Sequence, residues 1–66
     1  MFLKIDKILV DVDKYKRIYI EDAYMEEWSR IMGDGETIVY IKRDKVQGEF
    51  DKISDALALR YFNEIQ

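Results

Sequence analysis

Residues 22–43 read DAYMEEWSRIMGDGETIVYIKR, and whether their first half is helix or strand decides the fold. As a helix, 22–32 sets Tyr24, Trp28, Ile31 and Met32 on one side, with Gly33 as the C-cap. As a strand, it sets Tyr24, Trp28 and Met32 on one face and pairs with 36–42 across Gly33-Asp34-Gly35. Helix propensity favours the first reading. The turn favours the second, because glycine tolerates φ > 0 and Asp-Gly is a favoured hairpin pair. We adopt the strand, with an additional helix at 22–32 as the alternative. The run that follows, ETIVYIKR, alternates: Thr37, Val39 and Ile41 share one face, Ile38 and Tyr40 the other.

Working outward, ILVDVD at 8–13 alternates too, with Ile8, Val10 and Val12 on one side and Leu9, Asp11 and Asp13 on the other. FLKI ahead of it is a short strand or an extension of the same one. KYK at 14–16 is polar enough for a turn, and RIYIE is a second strand with Ile18 and Ile20 inward and Tyr19 outward. After ETIVYIKR, RDK at 43–45 reads as a turn and VQGEF as a short strand leading into a C-terminal helix. On that helix Phe50, Ile53, Leu57, Tyr61 and Ile65 fall in one arc, widened by Ala58 and Phe62. Asp51 or Ser54 is placed to cap its start. Leu59 lies outside the arc. The expected fold is α+β: a small antiparallel meander of four to five strands capped by one helix, in a single domain, 1–66.

Size limits what such a fold can do alone. Sixty-six residues bury only about 60% of the surface their unfolded chain exposes. Below roughly 70–80 residues a single core rarely supplies more than ~3–5 kcal/mol, so a staple is usual. With no cysteine and no histidine, disulfides and zinc sites are excluded. Oligomerisation is the staple that remains. A hydrophobic content of 48%, with no proline, excludes disorder. No apolar run approaches a membrane span and MFLKIDKILVDVD carries charges where a signal peptide is apolar, so a soluble cytoplasmic protein is expected.

The two sheet faces point to a partner. One helix closes one face, that of Ile8, Val10, Val12, Ile18, Ile20, Val39 and Ile41. The other is expected to be polar in an antiparallel sheet, yet it carries Leu9, Tyr19, Ile38 and Tyr40, with Trp28 an addition. Contiguous apolar and aromatic residues mark interfaces. The alternative is a sheet curved into a small barrel that covers this face itself. Leu59 is a further candidate contact on the helix.

Catalysis finds little to use without histidine or cysteine, so no enzyme and no cofactor is expected. Asp11 and Asp13 share a strand face, but Tyr15 and Lys16 follow where a calcium loop would continue with oxygen ligands. The glycines of GDGETI lack the Lys-Ser/Thr that completes a phosphate loop. Lys42, Arg43 and Lys45 are the candidate nucleic-acid contact, with interspersed acids and a net charge of −3 against it.

In the order of ILVDVDKYKRIYIE and KVQGEFDKISDALALRYFNEI, the chain resembles a group of short, mostly uncharacterised proteins of Gram-positive bacteria and their phages. The matching features are the Ile-x-Ile strand, the Gly48-Glu49-Phe50-Asp51 junction and Ala56 early in the helix. The resemblance implies a β-meander capped by a helix and no catalytic or binding residue. It also implies a mobile-element origin, where small acidic proteins bind and block host proteins. The expected function is therefore a non-enzymatic interaction module, a homodimer through the outer sheet face or an edge strand. An inhibitor or adaptor that binds a host protein through the same face is the alternative, and a weak nucleic-acid binder the second. Tyr40→Glu is expected to abolish either protein contact without unfolding the chain.

Overall fold

A computed structural model describes residues 1–23 and 25–65, with side chains through Tyr61. Among the described residues five strands and one helix follow in order: β1 Phe2–Ile5, β2 Ile8–Asp11, a 3-10 turn Val12–Lys14, β3 Ile18–Asp22, β4 Trp28–Gly33, β5 Glu36–Lys42 and α1 Arg43–Ile65. The strands are all antiparallel and form two sheets, β1-β2 and β3-β4-β5, rather than a closed barrel. The chain is α+β, as its alternation and its C-terminal stripe imply.

The decisive stretch is strand, shorter than the pattern allows. Glu26 and Glu27 turn the chain between β3 and β4, and Trp28 donates its N–H to the Met25 carbonyl at 3.0 Å. The Tyr24 position expected on the Trp28 face lies outside the described residues. Asp34 and Gly35 make the β4–β5 turn with φ of 52° and 89°, the left-handed values for which Asp-Gly is suited. The β4–β5 register slips between Ile31 and Met32: Ile31 faces Val39 but Met32 faces Thr37, leaving Ile38 as an extra residue in β5. This bulge overrides the alternation that put Ile38 on the outer face. Ile38 packs instead against the core, beside Gly33.

The helix begins at Arg43, eight residues before Asp51, the earlier of the two expected caps. Arg43–Phe50 is neither turn nor strand but the first two turns of α1, joined directly to β5. Val46 and Phe50 are two residues of one stripe that continues through Ile53 and Leu57, spaced 4-3-4. Alternation over Val46, Gly48 and Phe50 fits a strand equally well on paper, but burial of Val46 and Ile53 on one core fixes the helix. Asp51 and Ser54 are therefore interior to the helix rather than caps, and Asp51 accepts from the Gln47 side-chain amide at 2.9 Å. The Gly-Glu-Phe-Asp junction is likewise mid-helix.

The core joins Ile5, Val10, Val12, Ile31, Ile41, Val46 and Ile53, with Ile18, Ile20, Val39 and Leu57 packed around it. Ile8, expected inward, is 40% exposed. It faces Ile5 at the mouth of the two-residue β1–β2 turn, and Ile5 takes the buried place. A 23-residue helix is about 34 Å long. Past Leu57 its described side chains are exposed, and Tyr61, expected in the core arc, is 61% exposed. The hairpin is pinned along the helix at two points. The Asp6 N–H donates to Glu49 Oε2 at 3.1 Å, and Asp13 pairs with Arg60. Lys52 donates to the same Glu49 carboxylate at 2.9 Å, and these donors hold its pKa below the ordinary value, Lys52 most strongly.

Candidate interaction surface

α1 occupies one side of the β3-β4-β5 sheet, and the side chains of the other side form three cross-strand rows. In the first, Tyr19, Met32 and Thr37 stand opposite one another. The Thr37 hydroxyl donates to Met32 Sδ at 3.5 Å, and the Arg17 guanidinium lies 5.5 Å from the Tyr19 ring centre. In the second, Glu21, Arg30 and Tyr40 align, with Arg30 Nη2 donating to Glu21 Oε2 at 3.0 Å. In the third, Lys42 faces Trp28 and sets its ammonium 4.5 Å from the ring centre. Contacts of this kind are worth ~0.5–1 kcal/mol at exposed sites.

This face is neither greasy nor polar but mixed. Met32 is buried on it and Trp28 and Tyr19 are half-buried, while Tyr40 is 55% exposed. Next to Tyr40, the residues Ala23, Met25 and Trp28 line a shallow apolar depression. The buried Arg30 Nε has no hydrogen-bond partner among the described residues.

The local chain geometry explains where β3 starts. The Asp34 carboxylate accepts from the Lys16 N–H at 3.0 Å and the Arg17 N–H at 2.9 Å, tying the β4–β5 turn to the residues just before β3. These two backbone donors, that of Lys16 foremost, hold the Asp34 pKa below its ordinary value.

The residues anticipated from sequence do not form one patch. Tyr19, Trp28 and Tyr40 share the outer face of the three-stranded sheet. Ile38 is on the opposite side. Leu9, 72% exposed, projects from the other sheet beside Phe2, where Phe2 faces Asp11 and Leu9 faces Lys4. Leu59, 64% exposed, belongs to α1. Lys42, Arg43 and Lys45 are interleaved with acids: Lys42 reaches Glu27 and Arg43 reaches Asp22, each at 3.5 Å. Asp44 and Glu26 complete the same mixed-charge hollow. Sequence reading missed Arg30 and Met25, whose only signal is their place beside Trp28.

Among the described residues no group of three or more His, Cys, Asp or Glu is arranged to hold a metal ion. No described helix is long and apolar enough to cross a membrane. Compared with protein-family models, curated proteins and solved structures, the chain matches none.

Proposed function

We propose that the chain is a non-enzymatic interaction module that associates with a second copy of itself through its three-stranded sheet. The observation that carries this reading is one-sided cover. Apolar and aromatic side chains stand on both sides of β3-β4-β5, and α1 lies on one of them. A domain this small gains much of its stability from any further burial. Without histidine or cysteine the chain lacks the usual general base and the strongest nucleophile.

Sedimentation equilibrium of the full chain, from micromolar to submillimolar concentration, tests the reading. A monomer–dimer equilibrium is expected, and a monomer at every concentration overturns it.

The exposed Met25 and Tyr40 beside Trp28 favour a second use of the same face, the capture of a different protein in that apolar depression. Methionine and aromatic residues suit adaptable contacts. Tyr40→Glu is expected to abolish such capture from a host lysate.

A further inference from the structure

We infer that β3 is the self-recognition element: two chains join edge to edge through antiparallel pairing of residues 16–22, about a two-fold axis at Tyr19. This rests on the self-association reading and moves its contact from the outer face of the three-stranded sheet to the edge of that sheet.

β3 ends its sheet, and among the described residues no strand lies on its far side. Its backbone polarity is set by the bonds that bracket it. The Asp34 N–H donates to the Arg17 carbonyl at 3.0 Å, and the Ala23 N–H to the Trp28 carbonyl at 3.3 Å. The register between β3 and β4 is unbroken from Ile18 facing Gly33 to Asp22 facing Ser29. Backbone groups alternate in an antiparallel ladder, so Arg17, Tyr19, Glu21 and Ala23 turn toward β4. Ile18, Ile20 and Asp22 turn their N–H and C=O groups to the open edge.

The sequence of that edge is KRIYIED, two cations and two anions placed symmetrically about Ile-Tyr-Ile. Laid antiparallel on itself with Tyr19 facing Tyr19, it sets Lys16 against Asp22, Arg17 against Glu21, and Ile18 against Ile20. Opposite charges facing each other across strands stabilise pairing, and like charges oppose it. The hydrogen-bond parity agrees. Ile18 and Ile20, whose backbone groups face outward, meet as a reciprocal hydrogen-bonded pair, while the two Tyr19 residues meet at the closer, non-bonded position. Sliding by two residues in either direction sets an isoleucine against a charge. Ile18, Tyr19 and Ile20 are half-buried in the single chain and the four charged residues are exposed, so the edge is open to a partner. The product is one six-stranded sheet with an isologous contact. Tyr40, two strands away on β5, stays outside it.

Backbone amide exchange of the natural full chain is the first test. The Ile18 and Ile20 N–H groups are expected to become protected as concentration rises, in step with dimer formation. A dimer in which both exchange freely overturns the edge contact and leaves self-association standing; a monomer throughout overturns both. Charge variants supply an independent test. Lys16→Glu/Arg17→Glu makes the edge wholly acidic, and Glu21→Lys/Asp22→Lys makes it wholly basic. Each alone is expected to dimerise roughly 100-fold more weakly, since two facing pairs per strand turn like-charged and the symmetry doubles them. An equimolar mixture restores the dimer, and a mixture no better than its parts overturns the proposal. Should either variant fail to fold, the exchange result decides. The edge contact replaces the expectation drawn from sequence that Tyr40→Glu abolishes the homodimer: this dimer is expected to stay intact, and its dissociation by that change overturns the edge contact.

Discussion

The ring of Tyr15 occupies the space that a side chain at Gly33 would need: a Cβ there would stand 2.7 Å from Tyr15 Cγ and 2.8 Å from Ile38 Cδ1. Gly33 therefore works as a socket on the core side of β4, which the linker before β3 fills. Gly33→Ala forces the ring and the bulged Ile38 apart. It is expected to destabilise the chain by ~1–3 kcal/mol, the usual cost of overpacking. Thermal melts followed by circular dichroism check this, and an unchanged midpoint refutes the socket.

Gly48 presents the opposite case. It lies inside α1, and a Cβ added there meets nothing within 4 Å. Gly48→Ala is expected to stabilise the chain by about 0.8–1 kcal/mol, the helix-propensity difference between the two residues. A destabilisation would argue against the early start of α1. On the same helix, Ile53 is fully buried and Leu59 mostly exposed. Denaturant titration is expected to show a loss of ~2–5 kcal/mol for Ile53→Ala and under about 0.5 kcal/mol for Leu59→Ala.

Acid should weaken the fold through Asp34 and Glu49. Both carboxylates have lowered pKa values when folded and return to ordinary values, 3.8 and 4.5, on unfolding. Their contribution is thus complete above those ordinary values and is lost as pH falls through the folded ones. Melting temperatures measured over a pH series are expected to drop below about pH 4.5. The double variant Asp34→Asn/Glu49→Gln should drop less steeply over that range. An equal slope in the two proteins would show that these carboxylates do not act as described.

Much of this architecture is legible in the chain because burial imposes period. Ile53 and Leu57 mark a helix, and Asp34-Gly35 marks the hairpin between two alternating runs. Three features escape such reading. The start of α1 escapes because Val46, Gly48 and Phe50 satisfy periods of two and of 3.6 together. The side on which Ile38 lies escapes because one inserted residue reverses all that precedes it in the strand. The separation into two sheets escapes because periodicity reports faces and not neighbours. For the candidate surface, Tyr19, Trp28 and Tyr40 follow from alternation, whereas Arg30 depends on register. The symmetry of KRIYIED is visible in the letters alone, but it acquires meaning only when β3 proves to be the outermost strand.

The irregular step at Ile38 also bears on how far the proposed pairing could proceed. A sheet with two straight borders invites endless addition and ends as a fibre. In β3-β4-β5 the β5 border is kinked at Ile38 and unsuited to a regular ladder, whereas the β3 border is regular. Were two chains to pair through β3 as proposed, growth of this sheet by that route would halt at a pair.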